Sequence, residues 1–260
     1  MRVTIIGAGP AGLAAAHAAI GLGVSVVVRA PAVKTPQRGP ILLLRPIPGI
    51  NTEQPEGYIR QLVVGGSILD YRIKLYGDQP LDLKTSQPEP GYHTWRVTKA
   101  YDRLWELYSK LIQPGILYPG DIETICDSND LVINAASAKN LCMVPKRHVF
   151  QSVAVALKVK STYPSQPPNT VIYNGDPATP WVRSSRIFEH ESTEYAPGTI
   201  DDPDIVIWKP ISNTCTCHPR VLRVGRSGTH KNLAWIDSAF YDSRTVIYNI
   251  LHRHEWEGIV

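Results

Sequence analysis

A glycine pattern near the start of the chain constrains the fold more than any other feature. An apolar stretch over 3–6 predicts a strand, which runs into Gly7, Gly9 and Gly12 with the spacing G-x-G-x-x-G and then into an alanine-rich helix over 10–22. Such glycines permit a tight turn, let the backbone approach a pyrophosphate, and let the helix pack closely on the strand. The helix N-terminus adds free N–H groups and a positive dipole end. The pattern predicts a dinucleotide site, and the alternative is a glycine turn without a ligand.

The composition limits the size and the environment of the protein. A chain of 260 residues suffices for one large domain or for one domain with a modest insertion. Its net charge of +4 is compatible with an anionic substrate or with nucleic acid. The four cysteines lack the spacing of a disulfide framework, no targeting segment is recognisable, and no apolar run approaches the ~20 residues of a membrane span. We therefore expect a cytoplasmic protein with reduced cysteines and no membrane partner.

The elements after the first helix do not continue as an uninterrupted Rossmann domain. A β-branched run over 24–28 predicts a second strand, buried on both faces, and completes a βαβ unit. The remaining predictions are a helix or strand over 57–66, strands over 67–76, 130–134, 149–160, 171–173, 185–188, 204–208 and 221–224, a loop over 225–232, and helices over 97–112 and 233–251. Sequence patterns typical of Rossmann strands and helices therefore recur near 130 and near 221, and the other predicted strands lie between them.

Two later segments, 130–137 (DLVINAAS) and 222–230 (LRVGRSGTH), carry a family resemblance. With the opening glycines, they resemble in order the three flavin motifs of the FAD-dependent glutathione-reductase-like superfamily, especially its amine-oxidase-like and UDP-galactopyranose-mutase-like members. The resemblance implies an α/β fold in which a Rossmann-like FAD-binding domain carries a small inserted mixed-β substrate portion. It implies FAD as cofactor, with a helix N-terminus that stabilises negative charge on the reduced flavin. The implied cofactor contacts are Gly7, Gly9, Pro10, Ala11, Gly12, Arg29, Ala136, Gly225, Arg226, Asn232, Leu233 and Trp235.

The same resemblance divides the chain into parts. The implied FAD-binding parts are 1–66, 126–145 and 213–260, the insertion with a helical segment is 67–125, and the mixed-β substrate portion is 146–212. Flavoenzymes that are reduced by a nicotinamide usually carry a second G-x-G-x-x-G, and this chain has none. We therefore expect a flavin that is reduced by its substrate, reduced by a partner, or used in a redox-neutral reaction.

The end of the second strand departs from the family pattern. An acidic residue normally stands there and binds the adenosine ribose, whereas this chain has Arg29, followed by Lys34 and Arg38. Arg29 would contact the adenosine or a phosphate. The three cations would also suit the 2′-phosphate of NADP, so an NADP-dependent reductase is an alternative function. A solvated strand end, with the ribose held elsewhere, is the structural alternative.

A narrower resemblance concerns the substrate. Segments 171–175 and 181–190, with Lys209-Pro210 and the Cys215-x-Cys217 pair, resemble small flavoproteins encoded by bacteriophages. Some of these act in thymidine hypermodification, where a FAD-dependent lyase processes a glycine joined to the 5-methylene of a thymine-derived base. The resemblance implies an oxidoreductase or lyase that takes hydride from a carbon next to nitrogen. Its substrate would be a small amine or a modified nucleotide, with double-stranded DNA as a partner and the host cytoplasm as the location.

Four side chains are candidates for catalysis. Arg183 and Arg186 lie on or beside a predicted strand, and their side chains would point to opposite faces of it. One of them would therefore bind an anionic substrate group while the other stays solvated. The alternative is that both lie on an exposed, charged strand. His230 and His148 are candidate general bases because histidine titrates near neutrality, and the family resemblance puts His230 at the flavin edge. Each histidine could instead be a packing residue.

The Cys215-Thr-Cys217-His218 segment contains metal-ligating residue types. Without a second ligand pair it does not form a recognisable zinc pattern, and a redox dithiol usually has the spacing C-x-x-C. We therefore expect two free thiols in a loop and no metal site. Beside the enzymatic functions, a non-catalytic module that binds a nucleotide or associates with DNA remains an alternative.

Overall fold

The computed structural model describes residues 1–34, 42–77, 90–115, 117–128, 131–160, 165–196, 198–231 and 235–252. Two β-sheets, one of five strands and one of eight, organise these residues. The first sheet is entirely parallel and the second is mixed, so the predicted α/β fold with a Rossmann-like part and a mixed-β part is confirmed. Within the described ranges, no helix is both long and apolar enough to cross a bilayer.

The parallel sheet has the strand order β13-β7-β1-β2-β6. Its strands are β1 (Arg2–Ile6), β2 (Ser25–Arg29), β6 (Ile112–Gln113), β7 (Leu131–Asn134) and β13 (Val221–Arg223). Alternate side chains of β1 and β7 supply both faces with apolar groups, as expected of a parallel sheet covered on both sides. Helices α1 (Pro10–Gly21), α3 (Val97–Tyr108) and α6 (Ile236–Leu251) cover one face, and α4 (Asp121–Ser128) packs near the other.

The mixed sheet has the strand order β12-β8-β11-β10-β9-β4-β5-β3. Its strands are β3 (Leu42–Leu43), β4 (Gly57–Val64), β5 (Gly91–Arg96), β8 (Phe150–Val159), β9 (Thr170–Asn174), β10 (Trp181–Ile187), β11 (His190–Tyr195) and β12 (Ile205–Asn213). All neighbours are antiparallel except β4 and β9. Helix α2 (Ile68–Tyr76) packs against this sheet through a small apolar cluster.

The strand predicted over 67–76 is wrong, because these residues form α2. Ser67 caps the helix: its hydroxyl oxygen accepts a hydrogen bond from the Asp70 N–H (3.2 Å), and the Asp70 carboxylate accepts one from the Ser67 N–H (2.7 Å). This reciprocal capping box begins a helix whose buried side chains are Ile68, Tyr71 and Leu75, three and four residues apart. The apolar residues that read as a strand alternation also fit this helical face.

Other differences are smaller. The loop predicted over 225–232 contains a short helix, α5 (Gly225–Thr229), and 57–66 resolves as the strand β4. Strands β5 and β11 and helix α4 have no counterpart among the predictions. Strand β2, predicted to be buried on both faces, is only partly buried, and Val28 is its one fully buried residue. Its outer neighbour β6 has just two residues.

Candidate functional site

The turn after β1 has the geometry that its glycines predict. Gly7 has a φ of +100°, and a Cβ at Gly12 would lie 1.9 Å from the Gly7 carbonyl oxygen, so each position requires glycine for a backbone reason. A Cβ at Gly9 would meet nothing within 4 Å. Gly9 also precedes the first residue of α1, and no side chain caps that helix. The first N–H groups of α1 therefore have no side-chain partner, and a ligand can approach the turn closely.

The second and third flavin-like motifs meet this turn. A Cβ at Gly225, whose φ is +65°, would lie 2.5 Å from the Cβ of Ala11, and a Cβ at Gly228 would lie 2.1 Å from the Asn134 carbonyl oxygen. A Cβ at Gly7 would lie 3.0 Å from the backbone nitrogen of Ala136. Three segments far apart in sequence thus converge at the carboxyl ends of β1, β7 and β13, where ligands bind in open parallel sheets.

A cavity of about 670 Å³ opens at this point and extends to the mixed sheet. Its volume is within the range usual for cofactor and ligand sites. The cavity is lined on the Rossmann side by Gly7, Ala8, Gly9, Pro10, Ala11, Ala30, Pro31, Val33, Lys34, Ala135, Ala136, Ser137, Gly225, Arg226, Ser227, Trp235 and Ile236. On the mixed-sheet side it is lined by Leu42, Tyr92, Val171, Tyr173, Arg183, Ser185 and Ile187.

Most of the residues predicted to contact the cofactor are therefore brought together. Eight of them line the cavity: Gly7, Gly9, Pro10, Ala11, Ala136, Gly225, Arg226 and Trp235. Gly12 lies behind the turn and shapes it through its contact with Gly7. Asn232 and Leu233 lie outside the described residues. Arg29 is exposed and is not among the lining residues; its contribution is a carbonyl oxygen that accepts a hydrogen bond from the Gly7 N–H (2.9 Å).

The end of the cavity beside β2 is formed by Ala30, Pro31, Val33 and Lys34. The Lys34 ammonium binds the Asp102 carboxylate (2.5 Å) and lies 5.4 Å from the centre of the Tyr101 ring. No acidic residue of the described chain lines the cavity, so the ribose-binding carboxylate of the family pattern has no substitute on this wall. Arg38, the third cation of the predicted group, lies outside the described residues.

Strand β10 divides the two candidate arginines between its faces. Arg183 and Ser185 line the cavity, whereas Arg186 is on the opposite side, where its guanidinium binds the Glu191 carboxylate (2.9 Å) and the Gln166 carbonyl oxygen (3.3 Å). Alternation of side chains along the strand is the cause. Of these two arginines, Arg183 is therefore the one positioned to bind a ligand in the cavity.

A buried ion cluster supports Arg183. The Glu194 carboxylate is 2% exposed and binds both the Arg183 guanidinium and the Lys209 ammonium, the latter at 2.5 Å. Burial opposes ionisation of Glu194, but the two cations hold the pKa of its carboxyl below the ordinary value. Burial and the neighbouring Arg183 lower the pKa of Lys209 to about 8. Glu194 is not recognisable from the sequence, because no local sequence pattern distinguishes a carboxylate that binds cations on two other strands.

Arg226 makes this wall of the cavity positive. Arg226 is exposed in the open cavity, but the surrounding protein desolvates its guanidinium and, followed by the nearby Arg183, lowers the pKa of that group, which still keeps its proton at neutral pH. Arg226 forms no ion pair or hydrogen bond with the parts of the chain that the structure describes. Together with Arg183 and Lys209 it outnumbers the single carboxylate of Glu194. The surplus positive charge favours an anionic group in the cavity.

The two candidate histidines lie away from the cavity. His230 is buried at the end of α5, where its Nε2 is 3.1 Å from the Gln151 carbonyl oxygen and 3.2 Å from the Ser152 hydroxyl, and its ring lies edge-on to Phe150. Burial lowers its pKa, so the ring is neutral at pH 7. These contacts give His230 a packing role. His148 instead lies beside Cys142 and Cys217.

That second position is a cluster of four ligand-type side chains: Cys142, His148, Cys215 and Cys217. The Cys215-x-Cys217 pair is recognisable in the sequence but its counterpart is not, because Cys142 and His148 precede that pair by 67 residues or more. A C-x₅-H spacing alone is too common to signal a metal site. Only the fold reveals that the two pairs meet.

Several solved structures have a similar architecture. No protein-family model and no curated protein matches the chain. A reduced UDP-galactopyranose mutase aligns with a TM-score of 0.57 over 96% of this chain and 95% of its own, at 11% identity. 2,6-Dihydroxypyridine-3-hydroxylase from Arthrobacter nicotinovorans aligns with a TM-score of 0.56 over 99% and 85%, at 13% identity.

A third structure, a ternary complex of aklavinone-11 hydroxylase with FAD and aklavinone, aligns with a TM-score of 0.53 over 98% of this chain and 62% of its own, at 12% identity. These likenesses show a shared fold. In this fold the glycine turn after β1, the end of β7 and the turn after β13 form one continuous wall of the cavity.

Proposed function

We propose that the chain is a FAD-dependent enzyme that oxidises or cleaves its substrate at an amine-bearing carbon. The observation that carries the proposal is a single cavity that joins the glycine turn to the positive wall at Arg183 and Arg226. A dinucleotide fits the turn because the space at Gly9, which a Cβ would enter, is open and the first N–H groups of α1 are uncapped. The FAD named in the aklavinone-11 hydroxylase complex supports this choice of cofactor.

Some residues of the cavity would contact the cofactor and others would contact the substrate. The turn at Gly7, Gly9 and Ala11 would hold the pyrophosphate, and Gly225 with Ala136 would lie against the flavin portion. When bound, FAD supplies an acceptor for a hydride from the carbon next to nitrogen. The apolar side chains around the cavity exclude water from the reacting carbon.

Arg183 and Arg226 would bind an anionic substituent of the substrate. Glu194 holds Arg183 in place from behind, Lys209 binds the other oxygen of the Glu194 carboxylate, and Arg226 retains its hydrogen-bonding capacity for a ligand. A carboxylate attached near the amine meets this requirement, since a guanidinium binds a carboxylate with two parallel hydrogen bonds. The glycine of a glycine-modified thymine base is such a group, and the net charge of +4 favours DNA as its carrier.

The reaction would begin with loss of hydride from the glycine α-carbon and of a proton from nitrogen. Hydrolysis of the resulting imine would leave an aminomethyl group on the base and release glyoxylate. Dioxygen or a redox partner would then accept the two electrons. A phage protein that acts in this way would work in the host cytoplasm.

The test begins with the protein as purified. We expect bound FAD, identified by its visible absorbance and by mass spectrometry, and conversion of a glycine-modified thymine in a DNA duplex to the aminomethyl base. Arg226→Gln should raise KM about 10- to 100-fold, because a charge-assisted hydrogen bond contributes about 1.5–3 kcal/mol. Arg186→Gln, on the other face of β10, is the matched control and should leave KM unchanged.

Other results would indicate a different function. A colourless protein that binds NADPH identifies an NADP-dependent reductase, and a protein that binds a nucleotide without turnover identifies a binding module. Aromatic hydroxylation is a second candidate, favoured by the two hydroxylases among the similar structures. It would require both NADPH and dioxygen, whereas oxidation of an amine requires no NADPH.

A further inference from the structure

Two segments that are distant in sequence bring four metal-ligating side chains together outside the cavity. Cys142 and His148 follow β7, and Cys215 and Cys217 lie between β12 and β13. The three Sγ atoms and the imidazole nitrogen all lie within 4.8 Å of one another. The group contains three of the four cysteines in the whole chain, so a general abundance of cysteine does not explain their meeting.

The distances within the cluster suit a tetrahedral ion rather than a covalent bond. Around a zinc ion, Zn–S bonds of about 2.3 Å and Zn–N bonds of about 2.0–2.1 Å give edges of about 3.8 Å between sulfurs and about 3.6 Å between sulfur and nitrogen. The Cys142 and Cys217 sulfurs are 4.0 Å apart, and His148 Nδ1 is 3.1 Å from the first and 3.7 Å from the second. The sulfur–sulfur edge exceeds its ideal value by about 0.2 Å, and the two sulfur–nitrogen edges lie on either side of theirs. The edges to the Cys215 sulfur stay within 4.8 Å, so an ion fits with shifts of up to about 1 Å.

Hydrogen bonds hold the two segments together on both sides of the cluster. On one side, the Thr214 N–H donates to the Val149 carbonyl oxygen (3.1 Å), and the Val149 N–H donates to the Thr214 hydroxyl (3.0 Å). On the other, the ring of His218 bonds the Leu141 carbonyl oxygen (3.0 Å). The four ligand groups are therefore presented by a backbone that is already in register.

Hydrogen-bond donors surround the Cys215 and Cys217 segment of the cluster. The Arg223 guanidinium donates to the carbonyl oxygens of Cys215 (2.9 Å) and Cys217 (2.7 Å), and it lies 3.5 Å from the Cys215 sulfur. Backbone N–H groups of Met143 and Val144 also point at the Cys217 sulfur. A site with three thiolates and one Zn²⁺ carries a net charge of −1, and these donors are the outer contacts that such a site requires.

We propose that Cys142, His148, Cys215 and Cys217 bind one Zn²⁺. Three thiolates and an imidazole in a tetrahedral arrangement favour zinc over harder cations. Four protein ligands leave no open position, and none of the four lines the cavity, so the ion has a structural role that does not depend on the proposed flavin chemistry. It fastens the segment after β12 to the segment after β7, and thereby joins the mixed sheet to the Rossmann part.

The test measures metal directly. Tag-free protein purified without chelators should contain one zinc per chain by inductively coupled plasma mass spectrometry. Cys217→Ser should lose most of this zinc, and Cys126→Ser, which removes the remaining cysteine on α4, should retain it. Replacement of zinc by Co²⁺ in the wild-type protein should produce the intense visible bands of a tetrahedral thiolate site, a readout that does not depend on any variant folding.

Three results would overturn the assignment. The first is wild-type protein with less than a tenth of an equivalent of zinc after growth in zinc-supplemented medium. The second is a Cys142–Cys217 disulfide in peptide maps of protein purified under air with reduced thiols blocked. The third is zinc that Cys217→Ser and Cys126→Ser retain equally, which would mark adventitious binding elsewhere.

Discussion

The substitution Gly12→Ala tests the backbone packing that forms the glycine turn. A Cβ at this position would lie 1.9 Å from the Gly7 carbonyl oxygen and 2.9 Å from its carbon, whereas real Cβ contacts essentially never fall below 3.0 Å. Helix α1 and the turn must therefore separate by about 1.1 Å, the difference between 3.0 and 1.9 Å. The Gly7 carbonyl is backbone of a half-buried turn and Gly12 lies in a buried turn of α1, so neither group can rotate away as a side chain could.

The cost of that separation should be large. Overpacking of a well-packed core costs about 1–3 kcal/mol, and the rigid contact at Gly12 predicts the upper end, about 3 kcal/mol. For a domain of this size, each kcal/mol lowers Tm by about 2–4 °C, so the variant should melt about 6–12 °C below the wild type. Thermal unfolding of flavin-free protein, followed by circular dichroism, measures this shift.

Gly9→Ala is the matched control on the same turn. Its Cβ would meet no atom within 4 Å, and its φ of −71° suits alanine, so the free energy of unfolding should change by less than about 1 kcal/mol. The methyl group would instead occupy the approach of the pyrophosphate, and FAD affinity should fall at least tenfold, measured by quenching of flavin fluorescence. If Gly12→Ala melts with the wild type, or if Gly9→Ala binds FAD as the wild type does, the reasoning about this turn is refuted.

The ion cluster and the proposed zinc ion give further predictions. Glu194→Gln leaves the buried Lys209 and the partly buried Arg183 without a counter-charge, so it should destabilise the protein by about 3–5 kcal/mol. Glu191→Gln, at a half-exposed pair, should cost under about 1 kcal/mol in urea unfolding, and equal losses would contradict this. Because the pKa of Glu194 is lower in the folded state, its contribution is complete above the unfolded value of about 4.3 and is lost as the pH falls through the folded value. The stability difference between wild type and Glu194→Gln should therefore shrink below pH 4, and a constant difference would count against it. Removal of zinc by a strong chelator should lower Tm, and no shift in zinc-loaded protein would contradict the structural role.

Much of the Rossmann part is readable from the sequence because its signals are local. The turn glycines, α1, β7 and α6 follow from apolar runs and backbone requirements within a few residues. The mixed sheet is less readable. The segment 67–76 satisfies both a strand and a helix pattern, and the capping pair of Ser67 and Asp70 favours the helix, which then packs on the sheet.

The candidate site shows the same division. Local spacing suffices to propose that one of Arg183 and Arg186 enters a pocket, because alternation along a strand is a local rule. Which of them does so depends on where the Rossmann part lies relative to β10. The position of Arg29 differs from that of the ribose-binding acid in the motif. Arg29 is exposed at the end of its strand, and Ala30 and Pro31 line the cavity instead.

The sequence by itself determined the glycine turn and the fold class, since both rest on steric requirements that act between neighbouring residues. Only the tertiary structure decided which charges share the cavity and which cysteines share a cluster. Glu194 reaches Arg183 and Lys209 from a different strand, and Cys142 reaches Cys217 across 75 residues. Charge and metal ligation act through space over a few ångströms, and sequence separation places no limit on which residues the fold brings that close.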